Sequence, residues 1–187
     1  FDKEKIITLG DKNPVYSIYT ERFLRIFPDA KFICIIRDYR DNFVSMQKLA
    51  DLKLEAPILP LQVARWRYVV KIFLRCQNKY PDRFKTIRYE DFVANKEQML
   101  PELCRFVGIP FNPVMFDFYR KKEETMKTYD NPLIERFHSS LMNPVNTSRM
   151  EQWRTQMTPA QVRMANVVAG KYALQFKYVD RAEKNRL

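Results

Sequence analysis

Glycine is scarce in this chain: among 187 residues only Gly10, Gly108 and Gly170 occur. Three isolated glycines exclude a glycine-rich phosphate loop, since none is followed by the glycine, lysine and hydroxyl that such a loop needs. Histidine is limited to His138, and the cysteines to Cys34, Cys76 and Cys104, widely spaced. That set offers no metal-ligand spacing and no disulfide framework, so no metal is expected and a reducing compartment is favoured. No hydrophobic run approaches the ~20 residues of a membrane span, and no secretory leader is visible. Methionine is absent before Met46 and the chain starts at Phe1, so the expectation is that upstream sequence is missing.

What is present is a globular composition. Hydrophobic residues make up 46% and aromatics 14%, enough for one domain with a sizeable core. The formal charge of +11 suggests polyanions, acidic membranes or phosphorylated ligands as partners. The basic residues are spread along the chain, with a small cluster at Lys121-Lys122, whereas nucleic-acid binders concentrate them on a face or arm. The charge therefore reads as a solvated surface with a positive ligand cleft, and no specific nucleic acid is expected.

The chain is organised around residues 30–45. Phe32 to Ile36 is an unbroken apolar run with the look of a strand buried on both faces of a parallel sheet. Pro28 closes the element before it. Polarity changes at Arg37, and Asp38 and Asp41 then mark a helix start with acidic groups near the positive end of its dipole. Arg37 thus sits at the carboxyl end of a core strand and Ser45 on the helix that follows. Ligands bind at this edge of open α/β sheets, and a guanidinium fork with a hydroxyl and free helix amides suits phosphate. The competing reading is structural: an Arg37–Asp38 or Arg37–Asp41 pair that only fixes the turn.

The remaining elements follow from periodicity and punctuation. Lys5 to Leu9 reads as a short strand, and Gly10 to Pro14 as a turn carrying Lys12, an exposed turn lysine on local evidence. Val15 to Phe27 reads as an amphipathic helix. The helix after Ser45 fades near Leu54, Pro57 and Pro60 bracket a loop, and Leu61 to Lys79 has helical spacing with Trp66 as a core packer. Phe84 to Arg88 is a second strand, ending in Tyr89-Glu90-Asp91-Phe92. Asn95 caps a helix to Val107, kinked or delayed by Pro101 and stopped by Gly108. Pro113 opens a further helix, residues 125–148 read as a long loop, and Arg149 to Arg154 as a short helix. Thr158-Pro159-Ala160-Gln161 starts a last helix to about Phe176. Strand, helix, helix, strand, helix is the α/β pattern.

Taken in order, these stretches resemble the PAPS-dependent sulfotransferases, in particular the branch of bacterial and tyrosylprotein sulfotransferases. Phe27 to Ser45 is similar to the family's 3′-phosphate-binding segment, with Arg37 and Ser45 eight apart. Arg88-Tyr89-Glu90-Asp91-Phe92 is similar to its "RYEDL" strand end, and Leu103 to Pro110 to the helix that follows. Asn143-Pro144-Val145-Asn146 to Trp153-Arg154 is similar to its C-terminal "P-(I/V)-N…W" segment, and Gly10 to Pro14 to a lysine-bearing turn.

The resemblance implies an α/β, three-layer, P-loop-NTPase-like sulfotransferase fold with a short parallel sheet flanked by helices. Residues 1–187 would form a single sulfotransferase domain lacking its amino-terminal phosphosulfate loop. It implies transfer of a sulfuryl group from PAPS (3′-phosphoadenosine 5′-phosphosulfate) to a hydroxyl or amine, with no metal. Arg37 and Ser45 would hold the 3′-phosphate, Tyr89 would lie beside the nucleotide, and Lys12 would neutralise the transferred group. Ser139 or Ser140 matches a serine at the same centre, and His138 is the base by default. Arg149 would reach the 3′-phosphate in place of a family lysine whose position is Gln152. The family's usual upstream acidic or histidine base has no counterpart here. The alternative is a non-catalytic nucleotide- or polyanion-binding module. The acceptor is not legible. A cytoplasmic location is expected, with the Golgi lumen or secretory route as the alternative.

Overall fold

The computed structural model describes residues 8–51, 57–121 and 147–180. The expected strand at Lys5–Leu9, the Lys121-Lys122 side chains and the loop carrying His138, Ser139 and Ser140 lie wholly or largely outside these residues.

Two strands, β1 (Phe32–Ile36) and β2 (Phe84–Arg88), pair in parallel, with Phe32 opposite Phe84 and Ile36 opposite Arg88. The crossover between them runs through α2 (Tyr39–Asp51) and α3 (Leu59–Lys79), after α1 (Thr20–Ile26) has led into β1. Parallel neighbours cannot be joined by a tight turn, so two intervening helices are the expected solution. α4 (Tyr89–Ala94) follows β2 directly, and α5 (Lys96–Val107) follows α4. The C-terminal part contributes α6 (Trp153–Gln156), α7 (Pro159–Ala169) and α8 (Lys171–Gln175).

Both strands match the sequence expectation residue for residue, but β1 is not buried on both faces. Cys34 and Ile36 point into the core, while Ile33 is 38% and Ile35 54% exposed. Side chains alternate across a strand, and α3 packs on the inner face alone. On the outer face α5 is held over β2 by the Lys85–Glu102 ion pair and by Lys31 over the Phe106 ring. That cover does not extend along β1.

Other differences have local causes. The segment expected as one helix over Val15–Phe27 begins as a 3-10 helix, Pro14–Tyr19, and becomes α-helical only from Thr20. α3 starts at Leu59, two residues early, because Pro60 is tolerated in a first turn. Pro101 lies inside α5 without delaying it, at the loss of one backbone donor. Gly108 ends α5 in the left-handed conformation, as expected. The Pro113 segment is a 3-10 helix to Lys121, and Thr147–Arg149 is another, separated from α6. The Thr158–Gln161 capping box is formed in full. The last helix is broken at Gly170, whose backbone (φ 61°, ψ −139°) is one that only glycine adopts readily.

The main core joins β1, α2, α3, α6, α7, α8 and the C-terminal stretch through Ile36, Tyr39, Phe43, Val63, Trp66, Val70, Trp153, Ala165, Ala169, Tyr172, Phe176 and Tyr178. A second cluster gathers Leu24, Cys34, Ile72, Cys76 and Phe84, with Phe32 stacked on Phe84 at 4.6 Å. All three cysteines are free and buried.

These buried groups give the protein an alkaline limit. Burial, with Cys76 beside it, pushes the Cys34 thiol from 9.0 up to about 12. Burial also raises Cys76, and burial followed by Glu90 raises Tyr178. Each group keeps its proton in the folded state at a pH where the unfolded chain releases it. Their contribution is whole below about pH 9 and is lost as pH climbs towards the folded values. Unfolding free energy in urea is expected to fall above that pH by up to about 1.4 kcal/mol per pH unit for Cys34. Cys34→Ala should flatten the fall. A flat profile to pH 10.5 in the parent chain would contradict the burial argument.

Candidate functional site

The carboxyl ends of β1 and β2 meet at one edge, and the C-terminal stretch closes against it. Arg37 leaves β1 at this edge and Tyr89 leaves β2 one residue pair further on. The Arg37 guanidinium lies over the Tyr89 ring at 5.2 Å. Its Nη2 donates to the Arg149 carbonyl at 2.6 Å. Trp66 on α3 donates its indole N–H to the Arg37 carbonyl at 2.9 Å, so both ends of the arginine are held. The structure therefore brings Arg37, the Tyr89 ring and the Arg149 backbone carbonyl together from positions far apart in the chain.

The structural reading of Arg37 does not survive. Asp38 is bound to Arg40, through Nε at 3.0 Å and Nη2 at 2.7 Å. Asp41 accepts the backbone N–H groups of Glu151 at 2.7 Å and Trp153 at 3.0 Å. Neither carboxylate bonds Arg37. Its Nε is buried with no hydrogen-bond partner among the described residues. A buried charged donor left unmatched carries a desolvation cost, which an anion arriving at this edge would relieve.

Ser45 lies on α2, two turns beyond Arg37, half-buried and without a hydrogen bond among the described residues. No described contact joins it to Arg37. Lys12 is exposed in the turn before the first 3-10 helix; its backbone N–H bonds the Asp11 carboxylate at 2.7 Å, and no described contact links it to the strand ends. His138 and Ser139 lie outside the described residues.

Sequence reasoning missed the residues that build this edge. Glu90 accepts the Asp38 backbone N–H at 3.0 Å and the Tyr178 hydroxyl at 3.0 Å, bridging the two strand ends to the C-terminal stretch. Tyr178 lies near the Ile36 carbonyl too, at 3.2 Å. Arg40, 3% exposed, stacks on the Trp153 ring at 3.7 Å and donates to the Tyr178 carbonyl at 2.6 Å. Burial pushes the Asp41 carboxyl up, against the pull of its two backbone donors. The available signal was compositional: an Arg-Asp-Tyr-Arg-Asp run directly after an apolar strand cannot all be solvated.

Open parallel sheets present ligands at the carboxyl ends of their strands, and here that edge carries cationic and aromatic side chains. The comparisons narrow the class. A family-wide profile described as "Sulfotransferase family" matches residues 3–113, more than half of the chain, and the chain belongs to that family. It is 24% identical over 165 residues to a protein-tyrosine sulfotransferase of Drosophila melanogaster, covering 85% of this chain and 32% of the relative. It is 27% identical over 150 residues to protein-tyrosine sulfotransferase 1 of Danio rerio, covering 78% of this chain and 41% of the relative. Among solved structures, the sulfotransferase domain from the curacin biosynthetic pathway aligns with a TM-score of 0.53 at 23% identity, covering 83% of this chain and 60% of the other. That likeness shows a shared fold. The chain spans roughly a third to two fifths of the length of these two curated relatives.

Proposed function

We propose that the protein binds PAPS at the carboxyl edge of its sheet and transfers the sulfuryl group to a hydroxyl or amine. The observation that carries this reading is Arg37: a partly buried guanidinium, aimed across Tyr89, with a buried N–H unmatched and no carboxylate bonded to it among the described residues. In the reading, Arg37 and Ser45 hold the 3′-phosphate, Arg149 adds a cation beside it, and Tyr89 packs against the nucleotide. PAPS supplies an activated sulfuryl group: the bond from sulfur to the 5′-phosphate oxygen breaks as a bond from sulfur to the acceptor oxygen or nitrogen forms. Charge builds on the peripheral and leaving oxygens, so fixed cations do much of the work. Lys12 and Ser139 are assigned to that charge, and His138 to the acceptor's proton.

The names of the two curated relatives make the phenol of a tyrosine in a polypeptide the first acceptor to test. Incubating the chain with sulfur-labelled PAPS and a panel of tyrosine polypeptides, phenols, alcohols and amines should label at least one class. Adenosine 3′,5′-bisphosphate (PAP) should suppress that labelling. No described helix is long and apolar enough to cross a membrane. Three buried free cysteines fit a cytoplasmic location, the Golgi lumen or secretory route being the alternative; fractionation of the native protein decides.

One observation favours a second reading, a non-catalytic polyanion-binding module. Arg67, Lys71, Arg75 and Lys79 recur every four residues along one side of α3. Lys71, Arg75 and Lys79 line, with Lys171 of α8, a groove of about 550 Å³. The expectation of evenly spread basic residues is corrected there, because helical periodicity gathers side chains four apart. α3 places Trp66 at the strand-end site, and Lys79 lies about 20 Å further along the helix at 1.5 Å per residue. PAP binding with no label transfer, joined to polyanion binding that falls steeply with salt, would favour this module over the enzyme.

A further inference from the structure

The Arg149 carbonyl meets Arg37, and the segment that follows it is pinned. Residues 149–153 meet the end of β1 and the first turn of α2 at two levels. Arg37 takes the Arg149 carbonyl, and Asp41, one helical turn later, takes the amides of Glu151 and Trp153. Asp41 is 2% exposed, and both of its carboxylate oxygens are engaged. Between the two levels Glu151 holds a left-handed backbone at φ 59°, which a residue with a β-carbon keeps only where its surroundings impose it. Trp153 is fixed from the other side by Arg40 on its ring. The carboxylate thus anchors the segment directly after the 147–149 turn, next to the Arg37 contact.

We propose that Asp41 is a positioning residue for the 3′-phosphate subsite. It acts through the Glu151 and Trp153 amides to hold Arg149 beside Arg37, and touches no ligand itself. The inference rests on the PAPS reading of the site. It predicts an effect that depends on the 3′-phosphate: the contacts it maintains serve that group and not the rest of the nucleotide.

The test compares PAP with adenosine 5′-monophosphate, which lacks the 3′-phosphate, by calorimetric titration of the full chain. Asp41→Asn keeps shape but turns a donor towards one of the two amides. It is expected to lower the preference for PAP over the monophosphate about tenfold, the scale of one lost hydrogen bond to a charged group. Combined with Arg149→Ala, it should cost no more than Arg149→Ala alone, since both remove the same contribution. A purely structural role would weaken the two nucleotides alike. If Asp41→Asn leaves the preference intact while Arg149→Ala reduces it, the inference falls and the site reading stands. If Arg37→Ala also leaves the preference intact, the site reading itself falls. An unmodified-chain measurement covers the case in which the variant does not fold. The Glu151 and Trp153 amide resonances should shift with PAP and stay put with the monophosphate. Amides indifferent to PAP would overturn the proposal.

Discussion

Arg37→Ala is expected to weaken PAP binding by about a hundredfold or more, the scale of a bidentate charge-assisted contact to phosphate. Three features of the structure set that size. The guanidinium is not neutralised by a bonded carboxylate among the described residues, so its charge is available. Its Nε is already desolvated without a partner among the described residues, so little further cost attends binding. The Trp66 bond to its carbonyl and the Tyr89 ring beneath it restrict the side chain beforehand. Arg37→Lys should recover only part of the loss, since an ammonium keeps the charge but not the fork. Both variants should unfold within about 1–2 kcal/mol of the parent, because the losses are the bond to the Arg149 carbonyl and the contact with the Tyr89 ring. Titration calorimetry with a parallel urea denaturation separates the two effects. PAP binding that survives Arg37→Ala undiminished would falsify the assignment of the site.

The largest effect on stability is expected at Asp38. Asp38→Ala removes the carboxylate that pairs with the buried Arg40, and breaking a buried pair from one side costs about 3–5 kcal/mol. Arg40 has no route to water: it is sandwiched between Trp153 and the carbonyl of Tyr178. The paired replacement Asp38→Leu with Arg40→Met should cost far less than the single change, since well-packed apolar groups replace two desolvated charges. Urea denaturation of the three variants reads this directly. A single variant as stable as the parent would mean that Arg40 finds solvent. PAP titration of the folded variants is a separate readout, because neither the Asp38 nor the Arg40 side chain bonds Arg37 among the described residues.

The two strands were legible because each is a short apolar or β-branched run closed by a sharp change of polarity. α5 was legible because Gly108 punctuates its end, and α7 because Thr158 and Gln161 cap its start. The break at Gly170 was not read, since an isolated glycine inside a helical pattern is often tolerated and only the observed backbone shows that this one is not. The cationic line on α3 was legible in principle at four-residue spacing, but an even count along the chain hid it. Asp41 was read as a helix-start acid. Its partners are more than a hundred residues away, and no local pattern reports them.

By itself the sequence determined the α/β pattern, the position of Arg37 after one strand and Tyr89 after the other, and the likeness to sulfotransferases. These depend on periodicity and order, which are local properties of the chain. The tertiary structure alone decided that Asp38 and Asp41 turn away from Arg37, that Arg149 arrives beside it, and that one face of β1 is left half open. Those outcomes depend on which distant groups compete for the same hydrogen bonds and on which faces the helices cover, and neither is encoded in any single stretch.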